Sequence, residues 1–272
     1  MTLNRTTFFA YARRAPFGGR LTQAQVDGMN DLLDAWEEYG SNDIRDAAYI
    51  FAGVFHETGA KMVPVRETFA KTDAEARKNV KNRKYGKVVK GYVWYGRGRI
   101  QNTWYANYVK ITEQYGIPAS TNPDILLDSV TDAMVTVRGH LAGIWTGKRL
   151  ADYFDGQKED PVGARAIVNG KDKASLIASY YGQFLGAFEA ASQAVPPADA
   201  TPQEAAPDKP SLTRDATTLG AVMASVGVSA GFLGDIMEKI NNPYALGALI
   251  FAGIGLVVVL VGRYGLAKRE GV

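Results

Sequence analysis

Between Ile44 and Phe55 the chain carries a helical stripe so broad that almost no face is left for solvent. Ile44, Ala47, Ala48, Phe51, Val54 and Phe55 recur at helical spacing. A helix that is apolar nearly all round belongs in a core, so the residues around it must supply elements to enclose it. The run ends in Phe55-His56-Glu57-Thr58-Gly59, where Gly59 is a natural C-terminal stop. It thereby delivers one carboxylate, Glu57, at the last turn of a core helix. There the carboxylate faces the negative end of the helix macrodipole beside apolar neighbours such as Phe55. Both effects disfavour the anion and raise the pKa, as a general acid near neutral pH requires. Taken by itself, Glu57 also reads as an ordinary exposed glutamate ending a helix.

The segments around this stripe are also helical. Thr22 and Gln25 have capping-box spacing, Val26, Met29, Leu32, Leu33 and Trp36 follow at helical period, and Gly40 stops the run. The core helix is expected to begin near Ser41 or Asn42. Residues 60–98 read mostly as loop, with a charged, weakly helical piece from Asp73 to Lys81 and a short extended piece from Tyr92 to Tyr95. Tyr105 to Tyr115 is helical and closed by Gly116 and Pro118. Thr131 is expected to cap a further helix with Met134, Val137, Leu141, Ile144 and Trp145 on one face. Asp160-Pro161 reads as a cap and first helical position opening a short segment to Asn169-Gly170. Asp172 to Ala191 is the last helix, buried through Leu176, Ile177, Tyr180, Phe184 and Phe188. Period-two alternation is scarce, so residues 1–192 are expected to form a mainly α domain.

The character of the chain changes after that. Residues 193–214 hold five of the eleven prolines, mixed with Ala, Asp, Thr and Glu, and read as an extended, semi-rigid linker. Residues 216–234 and 241–262 contain no charge. The stretch 244–262 is long enough to cross the ~30 Å hydrocarbon layer. The stretch 216–234, rich in Gly, Ala, Ser and Thr, reads equally as a second span or an interfacial helix. Arg214 before the pair and Arg263, Lys268 and Arg269 after it suit a membrane hairpin over residues 215–265 with a basic tail at 266–272. Small residues such as Gly220, Ala224, Gly227 and Gly231 would let the spans associate closely.

Composition removes several chemistries. There is no cysteine, hence no disulfide, thiolate nucleophile or Cys-based metal site. His56-Glu57 is not a metalloprotease helix, because position 60 is Ala60 and the second histidine, His140, stands alone. No metal, cofactor or nucleic-acid partner is expected. Of the net charge of +3, the first 192 residues carry +4 and the rest −1, and a mildly basic front half suits an anionic polymer as well as a plain solvated surface. No secretory signal is visible, since Arg5, Arg13 and Arg14 interrupt the first sixteen residues.

A glycosidase needs a second carboxylate opposite the first. Glu67 follows ten residues on, after a loop broken by Pro64, and Asp73 and Glu75 are alternatives. The other dense signal is Tyr95-Gly96-Arg97-Gly98-Arg99-Ile100-Gln101-Asn102-Thr103. Its glycines permit close backbone approach, Trp94 and Tyr95 could stack on sugar rings, and Gln101, Thr103 and Asn107 could bond hydroxyl and acetamido groups. It is not a dinucleotide fingerprint, lacking the third glycine at a helix start.

Phe51 to Gly59 followed by Tyr95 to Tyr108 resembles the two signature stretches of the family 19 chitinase-like, lysozyme-like superfamily. Leu21 to Glu37, Met62 to Glu67 and Ala164 to Gly170 are similar to phage endolysins of that group, in collinear order over about residues 5–190. The resemblance implies a two-lobed lysozyme-like helical fold with a cleft between lobes. It implies Glu57 as general acid and Glu67 as its partner. It implies a substrate-binding set of His56, Thr58, Tyr95, Arg97, Gln101, Thr103, Asn107 and Asn169. Asn102 departs from the family's usual Leu, and Val168 from its Ile.

The expected activity is cleavage of the β-1,4 glycan of bacterial peptidoglycan by a membrane-anchored or virion-borne endolysin serving host lysis or phage entry. A chitinase, a wall-binding module on a dead hydrolase fold and a holin-like pore are the rival readings. The side of the membrane on which the front domain lies stays open at this level.

Overall fold

The structure is a computed structural model and describes residues 3–208. The spans and basic tail expected beyond residue 214 lie outside the described residues. Among the described residues no helix is long and apolar enough to cross a membrane.

The first helix, α1 (Arg5–Arg14), has no counterpart in the sequence reading. Asn4 caps it by accepting from the Thr7 amide, and it buries Phe8, Phe9 and Ala12. Next comes α2 (Gln23–Tyr39), which starts with the expected Thr22–Gln25 capping box and ends at Gly40. The core helix α3 (Ile44–Glu57) begins slightly later than expected. Asp43, not Ser41 or Asn42, is its cap, and accepts from the Arg45 amide. Every residue of α3 from Asp46 to Val54 is buried, as the all-round apolar stripe requires.

The loop region contains α4 (Asp73–Val80) and three two-residue antiparallel pairs. β1 (Val65–Arg66) pairs with β4 (Arg97–Gly98), β2 (Val88–Val89) with β3 (Tyr92–Val93), and β5 (Phe154–Asp155) with β6 (Lys158–Glu159). α5 (Tyr105–Tyr115) closes on a left-handed Gly116. α6 (Ser129–Ala142) corrects one expectation. Asp128 is its cap and Thr131 the donor, three residues into the motif. Ile144 and Trp145 lie beyond its end. The Trp145 ring folds back over Gly139, where a Cβ would stand 2.3 Å from the ring. The segment opened by Asp160 is a short 3-10 turn, Gly163–Ile167, rather than an α-helix.

α7 (Ala174–Ala191) packs on α3 and α1. Phe51, Phe184 and Phe188 meet edge to face, Phe8 joins them, and Phe55 meets Tyr180 at 4.7 Å. Leu176 is 42% exposed, contrary to expectation. It sits one position from Ile177, about 100° round the helix from the Ile177–Phe184–Phe188 face. A second, smaller cluster joins Ala70, Ala76, Val80, Val93 and Tyr95 around α4 and β3.

Residues 199–208 are not an extended linker. They fold back over α1 as a strap that includes the single turn α8 (Pro202–Ala205). Arg13, 8% exposed, donates to the Glu204, Ala206 and Gly19 carbonyls and pairs with Asp208 at 2.9 Å. Asp208 also accepts from the Leu21 amide at 2.7 Å, and Arg14 pairs with Asp199. The compact unit therefore extends past residue 192 to include the strap through residue 208.

Candidate active site

Glu57 is the last residue of α3. The turn after it is tightly built: Thr58 is fully buried, donates to the Val54 carbonyl and accepts from the Met62 amide at 3.0 Å. Thr58 is thus occupied in shaping the turn. Gly59 takes φ +56°, and a Cβ there would press the Phe69 ring at 3.1 Å. His56 is half-buried beside it.

The partner of Glu57 comes from more than a hundred residues away. Arg165, 4% exposed in the 3-10 turn before α7, places Nη2 2.7 Å from Glu57 Oε1. Its Nε donates to the Asp172 carbonyl at 3.1 Å, which fixes the guanidinium from behind. The ion pair holds one carboxylate oxygen and leaves Oε2 as the atom free to meet a ligand. Asn169, exposed, lies two residues beyond the same turn, and its side chain accepts from the Gly170 amide.

Glu67 follows β1. Its amide donates to the Gly96 carbonyl at 2.7 Å, and the Gly96 amide returns a bond to Oε2 at 2.8 Å. The Tyr85 hydroxyl donates to Oε1 at 2.5 Å. Burial, and then this bond, push the Tyr85 hydroxyl up to about 12, so it stays a donor at any working pH. The Tyr85 ring meets Trp104 edge to face at 5.4 Å, and Trp104 is 48% exposed. The alternative carboxylates are engaged in structure. Asp73 accepts from Tyr95 and pairs with Arg77, and Glu75 accepts from the Lys71 amide.

Three loops interlock here. β1–β4 pairing joins the Glu67 segment to the Tyr95–Thr103 loop, where Gln101 Nε2 donates to the Val65 and Gly98 carbonyls. Thr103 donates to the Gln101 carbonyl, and Asn107 to the Thr103 carbonyl at 2.8 Å. All three are half-buried, so each keeps polar capacity toward solvent. Eight non-glycine residues among the described ones adopt left-handed φ, and six of them (Ala60, Met62, Thr68, Phe69, Gln101 and Trp104) lie in these loops. Each such conformation costs about 1 kcal/mol or more, and such strain clusters where geometry serves a site.

Four expected ligand contacts, Thr58 (above), Tyr95, Arg97 and Trp94, are not presented to solvent. Tyr95 is fully buried, with its hydroxyl on Asp73. Arg97, 1% exposed, stacks on the Tyr95 ring at 3.6 Å, donates to the Val93 carbonyl, and pairs with Asp124 at 2.6 Å. Trp94 is likewise buried, donating to the Val89 carbonyl. These side chains hold the loop instead of stacking on a sugar. Arg99 does the same on the other side. Fully buried, it donates to the Met62, Ser129 and Gly28 carbonyls and pairs with Asp132 and Asp31. It therefore ties α2, the turn after Glu57 and α6 together. Gly98 at φ +85° must be glycine, since a Cβ would fall 2.1 Å from Asp132 Oδ1.

Arg165, Tyr85, Trp104 and Phe69 are the site residues that the sequence reading leaves out. Tyr85 had one visible signal, being the sole aromatic residue between Phe69 and Tyr92 in a basic stretch. Among the described residues no group of three or more His, Cys, Asp or Glu side chains could hold a metal ion. The chain matches no protein-family model and no curated protein.

Proposed function

We propose that residues 3–208 form a glycoside hydrolase that cuts the β-1,4 glycan of bacterial peptidoglycan by acid/base chemistry. Glu57 protonates the leaving oxygen through its free Oε2, and Arg165 fixes the carboxylate and stabilises the charge left behind. Glu67, oriented by Tyr85 and the Gly96 amide, activates water or stabilises the oxocarbenium-like transition state. Trp104 and Phe69 offer exposed aromatic faces to sugar rings, with Gln101, Thr103 and Asn107 as polar contacts.

One observation carries the reading. Two carboxylates, Glu57 at the end of α3 and Glu67 after β1, are each fixed by buried or half-buried partners, and the strained loops that follow them are joined through β1 and β4. The main helical core and the smaller cluster around α4 supply the two lobes of a lysozyme-like domain. The charge-free stretches at 216–234 and 244–262 would anchor the enzyme at a membrane, their small residues allowing self-association, in the manner of a phage endolysin.

Full-length Glu57→Gln protein is the test. It should fail to clear a peptidoglycan suspension while melting at the parent temperature, and retained clearing would overturn the assignment. Reducing ends released by the parent from chitin rather than peptidoglycan would reassign the substrate.

A further inference from the structure

The C-terminal ends of α2, α5 and α6 meet at a surface cavity of about 310 Å3, lined by Tyr39, Gln114, Tyr115, Arg138, Leu141 and Ala142. Its centre is Arg138. The guanidinium lies 4.3 Å from the Tyr115 ring centroid and 5.2 Å from that of Tyr39, a cation held against two aromatic faces. Arg97 and Arg99 spend their donors on carbonyls and carboxylates. Arg138, half-buried, has one hydrogen-bond acceptor among the described residues, the thioether of Met134 at 3.6 Å. A thioether is a weak acceptor, so the planar fork keeps most of its donors unspent. The Tyr115 hydroxyl is buried and has no partner either. An unpaired buried hydroxyl is costly enough to ask for an occupant.

We propose that this cavity is an accessory site for a carboxylated saccharide, with the carboxylate on the Arg138 fork and the sugar's C–H face against Tyr39 and Tyr115. A guanidinium matches a carboxylate bidentately, and two aromatic walls beside it select a ring-bearing acid over a bare anion. None of its lining residues belongs to the loops that hold Glu57 and Glu67. The site would hold the enzyme at a second point on stretches of its polymer whose muramoyl carboxylates carry no stem peptide, so the inference rests on the glycan reading above but acts through binding alone.

The test uses full-length Glu57→Gln protein, so that turnover plays no part. Equilibrium dialysis with labelled N-acetylmuramic acid should give saturable binding that Arg138→Gln weakens at least tenfold and Arg138→Lys weakens less. N-acetylglucosamine, the same ring without the carboxylate, should show no dependence on Arg138. Equal binding of N-acetylmuramic acid by the Arg138→Gln protein would overturn the proposal, as would equal, Arg138-dependent binding of both sugars. Because the readout is binding of a monosaccharide, its outcome is independent of whether Glu57 proves to be the acid.

Discussion

Arg165 Nη2 lies 2.7 Å from Glu57 Oε1, so a residue of the turn before α7 sets the orientation of a carboxylate at the end of α3. The pair makes the Glu57 rotamer a tertiary property. Arg165→Leu should lower kcat at least tenfold, with KM little changed, because the contact lies behind the carboxylate rather than on a sugar. Arg165→Lys should recover only part, since lysine cannot bond Glu57 and the Asp172 carbonyl together in one plane. Steady-state kinetics on a soluble glycan oligomer check both variants.

On the Glu67 side, Tyr85→Phe deletes a charge-assisted bond at 2.5 Å and keeps the ring against Trp104. Such bonds contribute about 1.5–3 kcal/mol. The variant should lose roughly tenfold or more in kcat. Trp104→Ala should instead raise KM with a smaller change in kcat, the pattern of a lost binding face. If both variants moved the same kinetic parameter, the division between positioning and binding would fail.

Arg99 offers a stability prediction. Arg99→Met leaves Asp132, 2% exposed, without its cation. Breaking a buried pair from one side costs about 3–5 kcal/mol. The urea midpoint should fall sharply with an unchanged slope. Even in the parent, burial holds the Asp132 carboxyl up at about 6 despite Arg99, which shows how heavily the site is desolvated.

Acid stability should depend on His140. It is 1% exposed, and its Nδ1–H donates to the Thr136 carbonyl at 2.7 Å. Burial holds its pKa down at about 4, against an ordinary 6.5. The folded state therefore refuses a proton that the unfolded chain accepts, and stability is lost as pH falls from 6.5 towards 4. At pH 4.5 the loss is about 2 kcal/mol. Asp46 and Asp132, both raised to about 6, act with the opposite sign, since the folded state takes up their protons first. Comparing parent and His140→Leu isolates the histidine. The gap in unfolding free energy between pH 7 and pH 4.5 should shift in favour of the variant by that amount.

The strap predicts a domain boundary. A chain ending at 208 should melt at a higher temperature than one ending at 198, because the shorter chain leaves buried Arg13 without Glu204, Ala206 and Asp208. Equal melting temperatures would mean that the strap adds no stability.

Local chemistry made several elements readable in the sequence. The Thr22–Gln25 box, the all-round apolar α3 and the left-handed Gly116 each depend on residues within one or two turns, and each is present, α3 differing only in its later start at the Asp43 cap. What was not readable depends on distant partners. Arg13, Arg97 and Arg99 look like surface charges until Asp208, Asp124 and Asp132 arrive. The proline-rich stretch signals extension, yet Arg13 and Arg14 gather it onto α1. The left-handed backbone at Gln101 and Trp104 carries no mark in a non-glycine residue type. Arg165 was the least accessible, since nothing in its own segment names a carboxylate on α3.

The strap also decides where mechanical load enters this domain. A pull on residue 208 falls first on the Arg13–Asp208 pair and on the Leu21 amide. Without that clasp the same tension would run through Ala191 into α7, and along it to the turn that carries Arg165. The clasp therefore works as a strain relief, keeping tugs on the tail from reaching the Glu57 ion pair.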